Sequence, residues 1–279
     1  MLDLFNNMKI LVVGLLPYES GKTTLARYLI EDAVDRGFDV GVSKPVSSTN
    51  GWYNYDCIVR SAKYGKLVGN DIYILHKASK SSEPIEFENP FVLLLMPPDP
   101  ERIEWRSSAY TALSITEQIV LIRITTLKET KHIYIPSNAE RITNTLREEL
   151  DVLINRLDPK PINLTHENLN NLIFRSYIIS DECLEYIVRN HEITVIESYS
   201  DAAAPNRKSL DSDFVIVVAP SKIAVYNGEM YKKALDVVAN VKEPWLTKTE
   251  DVLPLLHPIK TVELKPSKRV DILDTLIRE

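Results

Sequence analysis

Glycine is scarce in this sequence, with 8 in 279 residues, and glutamine occurs only as Gln118. Both scarcities suit a chain selected against loose backbone and thermolabile amides, as heat-adapted proteins are. Cysteine is limited to Cys57 and Cys183, with no C-x-x-C and no Cys/His cluster. That excludes a disulfide framework and a structural zinc site, and it fits a reducing cytoplasm. Long apolar runs are missing too: Phe91 to Met96 is far short of the roughly 20 residues that cross a bilayer. No membrane span is expected, and no secretory leader is read. An excess of positive charge is also lacking, since 33 Lys and Arg face 39 Asp and Glu, for a net charge of −6. Nonspecific nucleic-acid binding is therefore disfavoured.

What is present is ordinary globular material, 44% hydrophobic and 26% charged. The length suits one large α/β domain over residues 1–279, with an insertion at about 76–136. Met8 to Gly14 reads as a buried parallel strand. It leads through Leu15–Thr24 into an amphipathic helix with Leu25, Leu29 and Ala33 on one face, ended by Gly37. Val40 to Ser43 is a second strand, followed by a polar loop over Pro45–Tyr55. Asp56 to Lys66 reads as a helix and Ile72 to Leu75 as strand-like, whereas the prolines from Pro84 to Pro100 are expected to break regular structure. Ile119–Ile124 and His132–Ile135 flank a polar turn as a β-hairpin would. Helices are expected over Ile142–Leu157, Thr165–Asn171 and Asp181–Arg189. Buried strands follow at Ile193–Ile196 and Phe214–Val218, and a helix at Glu229–Val238. The expected fold is a mostly parallel sheet flanked by helices with an added hairpin.

The sharpest local signal is Gly14-Leu15-Leu16-Pro17-Tyr18-Glu19-Ser20-Gly21-Lys22-Thr23-Thr24, placed between the first strand and the first helix. Phosphate binding in such a loop needs a glycine where main-chain N–H groups approach the oxygens, a lysine for the β- and γ-phosphates, and a hydroxyl for Mg²⁺. Gly21, Lys22 and Thr23 supply these, with Glu19, Ser20 and Thr24 completing the loop. The usual spacing puts its first glycine at Leu16, whereas the nearest one here is Gly14, so the loop is a variant. The plainer reading is a Gly-Lys-Thr-Thr turn that opens an ordinary helix.

Glu19-Ser20-Gly21-Lys22-Thr23, Lys44-Pro45-Val46 after the second strand, Asp56, and Glu197 ahead of Pro205 together resemble the dethiobiotin synthetase-like branch of P-loop ATPases, which includes the cobyrinic acid amide synthases. The likeness covers the nucleotide-binding elements, about half the chain, and fades between Tyr73 and Asn190. It implies a P-loop NTPase fold, Mg²⁺ and ATP as cofactors, a Lys44 near the reacting groups and an Asp56 that helps hold the metal. After Glu197 the glycines of that family give way to Ser198-Tyr199-Ser200-Asp201, so its substrate does not carry over.

The residues also have readings of their own. Glu197 ends a parallel strand where open sheets place ligands, and can hold Mg²⁺ or its water, or stand as a strand-end acid. Asp56 serves either the metal or a helix N-cap. Lys44, kept extended by Pro45, can reach a transferring phosphoryl group or lie solvated. Asp201 is secondary, and the five scattered histidines show no ligand spacing. For the base, Thr247-Lys248-Thr249-Glu250 comes close to a guanine-reading pattern but equally opens a helix, while Asn240 resembles an adenine-side asparagine. ATP is favoured over GTP.

The expected function is Mg²⁺-dependent ATP hydrolysis or phosphoryl transfer that activates a small metabolite, with Lys22, Lys44 and Glu197 catalytic and Thr23, Asp56 and Glu197 on the metal. A nucleotide-hydrolysing switch that binds a protein partner is the alternative, and a nucleoside or polynucleotide kinase ranks third. The partners expected are the nucleotide and a small substrate, without a membrane, and a homodimer is compatible with the reading.

Overall fold

The structure is a computed structural model. It describes residues 7–164, 166–239, 243–265 and 272–277, with the side chains of residues 166, 167, 275 and 277 outside the description. Thr165 and Asn240, named above, and the side chain of His166, one of the five histidines, therefore lie outside the described residues.

Two mixed sheets flanked by helices make up an α/β architecture. The first sheet takes β1 (Met8–Gly14), β2 (Val40–Ser43), β8 (Ile193–Glu197), β9 (Phe214–Ala219), β10 (Lys222–Asn227) and β11 (Lys260–Glu263), in the order β11-β10-β9-β1-β8-β2. β1 runs parallel to β8 and β9, and β2 parallel to β8, while β10 pairs antiparallel with β9 and β11. β1 is buried on both faces, as its near-continuous apolar sequence requires of a central parallel strand. Ile10 and Val12 face Leu25, Leu29 and Ile30 of helix α1 (Lys22–Asp35). Leu11 and Val13 face the other way, onto Tyr231 and Leu235 of the helix Gly228–Val238.

The second sheet, in the order β3-β4-β5-β6-β7, takes β3 (Val46–Asn50), β4 (Phe91–Leu95), β5 (Ile119–Thr125), β6 (Thr130–Tyr134) and β7 (Ile162–Asn163). The expected hairpin is present as the antiparallel β5–β6 pair. It sits inside a sheet that draws on Val46 to Asn163, a wider span than 76–136. Val92 and Leu94 pack against Leu146, Leu150 and Leu153 of the helix Asn144–Arg156, and Phe91 and Leu93 pack on the opposite face.

Three expectations are corrected. Ile72–Leu75 is not a strand but part of helix α3 (Asn70–Ser79), which follows α2 (Tyr55–Tyr64). Its buried positions Ile72, Leu75 and Ser79 have helical spacing, so the short apolar run was one helix face. The stretch Pro84–Pro100 does carry regular structure, because its prolines bracket β4 rather than interrupt it. The loop expected over Pro45–Tyr55 contains β3, a polar segment made a strand by parallel pairing with β4. Only Lys44 and Pro45 separate β2 of the first sheet from β3 of the second.

Candidate functional site

The cluster forms where β1 and β8 end side by side. Val12 is in register with Glu197, and the Ser198 N–H donates to the Val12 carbonyl at 2.9 Å. β1 closes on Gly14, and the chain turns through an exposed Leu16–Glu19 before α1 begins. Glycine matters at two points of this turn. A Cβ on Gly14 would stand 2.6 Å from Ser20 Oγ and 2.7 Å from Lys22 Nζ, because the ammonium folds directly over this residue. Gly21, the N-cap of α1, has φ +92°, a left-handed conformation that suits glycine. Among the described residues no side chain caps the first turn of α1, so its N–H groups are left for another acceptor.

Lys22 is the first residue of α1 and is buried. Its Nζ donates to Ser20 Oγ at 3.1 Å and to the Ser200 carbonyl at 2.7 Å. Burial, and then the neighbouring Lys44 charge, lower the Lys22 pKa below the usual lysine value. One residue further on, Thr23 Oγ1 donates to Glu197 Oε1 at 2.8 Å. Lys44 Nζ donates to the same Glu197 oxygen at 2.7 Å and lies 2.8 Å from Asp71 Oδ2. Lys44 and Glu197 are almost wholly inaccessible. Burial alone would lower the Lys44 pKa, but the Asp71 and Glu197 carboxylates outweigh it and hold the ammonium above its usual value. Lys44 in turn holds the Asp71 carboxyl below the carboxylate range. Glu197 is pushed up by burial, against the pull of Lys44. Its second oxygen, Oε2, is buried with no hydrogen-bond partner among the described residues, an arrangement that is expensive unless something completes it.

Of the residues singled out in the sequence, Ser20, Gly21, Lys22, Thr23, Lys44 and Glu197 are brought together. Glu19 and Thr24 are exposed on the turn and the first helical turn, Glu19 with φ +53°. Asp56 is not in the cluster. It is exposed in the first turn of α2, where the N-cap is Asn54, and among the described residues no hydrogen bond or ion pair joins it to Thr23, Lys44 or Glu197. The aspartate in contact with Lys44 is Asp71, in the first turn of α3, which sequence reading passed over because that segment reads as a strand.

The loop after β8 is braced by the segment that resembled a base-reading motif. Thr249 donates from both its main-chain N–H, at 2.8 Å, and its hydroxyl, at 3.0 Å, to the Asp201 carbonyl. The Ala203 N–H donates to the Thr247 carbonyl, and Lys248 lies 3.6 Å from Asp201. Tyr199 OH donates to the Trp245 carbonyl at 2.6 Å. The Ser200 carbonyl that receives Lys22 is thus presented by a loop tied down on both sides. Glu250 bonds Lys248 and Thr249 opens a short helix, Thr249–Val252, whose N-cap is Lys248.

The histidines serve elsewhere. His76 Nδ1 pairs with Glu88 at 2.8 Å, His191 lies between Asp39 and Glu83, and His257 is exposed. No group of three or more His, Cys, Asp or Glu side chains among the described residues forms a metal cage. Hard oxygen donors do meet at Thr23 and Glu197, a pair that suits a magnesium ion holding most of its ligands as phosphate and water. Surface depressions of about 510 and 440 Å³ also exist, lined by residues such as Ser114 and Arg141 or Tyr55 and Val152, and none of their lining residues belongs to the cluster. No helix among the described residues is long and apolar enough to cross a membrane. No family model matches the chain, and comparisons with curated proteins and with solved structures return no match.

Proposed function

We propose that this chain is a Mg²⁺-dependent, ATP-binding enzyme of the P-loop type that hydrolyses ATP or transfers its γ-phosphoryl group to a small metabolite. The observation that carries the reading is the hydrogen bond from Thr23 to Glu197: a hydroxyl at the start of the helix after β1 meets a carboxylate at the end of the neighbouring parallel strand. In this reading Thr23 and Glu197 hold the metal, and the unpartnered Glu197 Oε2 gains a purpose. Bound magnesium neutralises phosphate charge. Lys22 exchanges the Ser200 carbonyl for phosphate oxygens, and the uncapped N–H groups of α1 receive the same anion. Lys44, kept charged by two carboxylates, stabilises the negative charge that builds on the transferring group.

ATP is preferred to GTP because this segment is committed within the chain: Thr249 donates its main-chain N–H and hydroxyl to the Asp201 carbonyl, the Thr247 carbonyl accepts the Ala203 N–H and the Thr247 hydroxyl donates to the Glu243 carbonyl, while Glu250 bonds Lys248. Two buried free thiols, Cys57 and Cys183, support a reducing cytoplasm as the setting. Calorimetry with MgATP and MgGTP tests the proposal. Saturable MgATP binding that is lost when magnesium is chelated is expected, and failure to bind either nucleotide with magnesium present overturns it.

A further inference from the structure

We propose that Asp71 is a positioning residue for Lys44, gripping its ammonium opposite Glu197 while Glu88 and Asn89 grip its main chain. The proposal rests on the reading of this site as a phosphoryl-transfer centre, in which Lys44 acts on the reacting group.

A lysine side chain has four rotatable carbon–carbon bonds, so a buried ammonium stays in one place only if its surroundings hold it. Lys44 is held at both ends. At the tip, Nζ stands 2.8 Å from Asp71 Oδ2 and 2.7 Å from Glu197 Oε1. At the base, its N–H donates to the Glu88 carbonyl at 2.7 Å, and its own carbonyl accepts from Asn89 Nδ2 at 2.5 Å.

The two grips come from one packed unit. Ser47 Oγ donates to Asn89 Oδ1 at 2.9 Å, and both side chains press on Gly69, the N-cap of α3, so closely that a Cβ there would lie 2.9 Å from each oxygen. α3 therefore starts at a fixed point, and Asp71, two residues on, is delivered to Lys44 by the same contacts that hold the Lys44 main chain. Glu197 cannot do this alone, because its Oε1 is shared with Thr23 and, in the proposed reading, its carboxylate turns to the metal. Asp71 is the anion that remains on Lys44 throughout. A carboxylate locked onto an ammonium is a poor proton acceptor, so its contribution is placement rather than proton transfer.

Turnover of MgATP by wild type, Asp71→Asn, Asp71→Glu, Lys44→Ala and the Asp71→Asn/Lys44→Ala double variant tests this, with thermal unfolding to confirm that each is folded. Asp71→Asn should lower kcat about tenfold or more while KM for MgATP stays within about twofold, and Asp71→Glu should restore most of the loss. Adding Asp71→Asn to Lys44→Ala should change nothing further, since the residue acts through Lys44. Wild-type kcat in Asp71→Asn, or additive losses in the double variant, overturns the proposal. A crystal structure of nucleotide-free Asp71→Asn supplies a readout independent of activity. Lys44 Nζ displaced from Glu197 Oε1 supports the positioning role, and Lys44 unmoved overturns it. If the wild type neither binds nor turns over MgATP, the nucleotide reading fails, and the crystal comparison alone then decides the role of Asp71.

Discussion

Lys22 and Ser200 are joined by a 2.7 Å hydrogen bond from the ammonium to a main-chain carbonyl, and Ser200 presents that carbonyl from a left-handed conformation with φ +46°. A non-glycine residue in that region is held there by its surroundings, here the bonds from Tyr199, Thr247 and Thr249 on either side. The ammonium is therefore parked against a fixed acceptor, close to where an incoming anion would meet it.

Lys22→Ala should weaken MgATP binding about 100-fold, the scale of one or two charge-assisted hydrogen bonds. Calorimetry on the folded variant checks this, and unchanged affinity would remove the loop from the nucleotide reading.

Gly14→Ala should disturb the same ammonium without touching any charge. The added methyl would fall 2.6 Å from Ser20 Oγ and 2.7 Å from Lys22 Nζ, so the ammonium must move. MgATP affinity is expected to fall while stability changes little, because the atoms that must give way are side-chain ends and not main chain. Binding and thermal unfolding measured on the same preparation test both halves.

Glu197→Gln preserves shape and removes the charge that Lys44 and Thr23 share. Turnover should drop about 100-fold or more, with ATP binding much less affected. Lys44→Ala is expected to behave in the same way. Wild-type turnover in both variants at saturating MgATP would leave the pair as a structural ion pair.

His132 provides a test of stability that is independent of function. Its Nε2 accepts the Leu67 N–H at 3.2 Å, and Nδ1 bonds the Pro159 carbonyl at 2.8 Å, so the neutral ring satisfies both neighbours. Burial lowers its pKa to about 4. The unfolded chain, with a histidine near 6.5, binds a proton that the native state refuses between those two values. Stability from this group is therefore full above about 6.5, falls as the pH drops towards 4 by up to about 3 kcal/mol, and changes no further below that. The difference in unfolding free energy between wild type and His132→Asn, followed from pH 7 to 4, should show this slope. A pH-independent difference would contradict it.

Much of the first sheet was legible because β1, β8 and β9 are central parallel strands whose burial on both faces leaves an uninterrupted apolar signature. Most of the cluster was legible for a related reason. Lys44 and Glu197 sit at or just beyond strand ends, and Lys22 and Thr23 open the helix that follows β1, places that chain order alone marks out. The second sheet was not. β3 is Val-Ser-Ser-Thr-Asn, and nothing in those side chains announces a strand until β4 lies beside it. Asp71 was hidden because it belongs to a helix whose buried face, sampled over four residues, imitates a strand. Asp56 drew attention by its place in the chain order, yet α2 carries it to the surface.

The two-residue link between the sheets gives Lys44 a mechanical role, whatever its chemistry. Two residues span at most about 7 Å, so the second sheet cannot slide against the first without pulling on the main chain at Lys44. That main chain is clamped by Glu88 and Asn89, just ahead of β4 of the second sheet, while the ammonium is anchored to Glu197 in the first. Lys44 therefore ties the two sheets twice, through its main chain and through its side chain, and the placement of its charge beside the end of β8 depends on how the second sheet is seated.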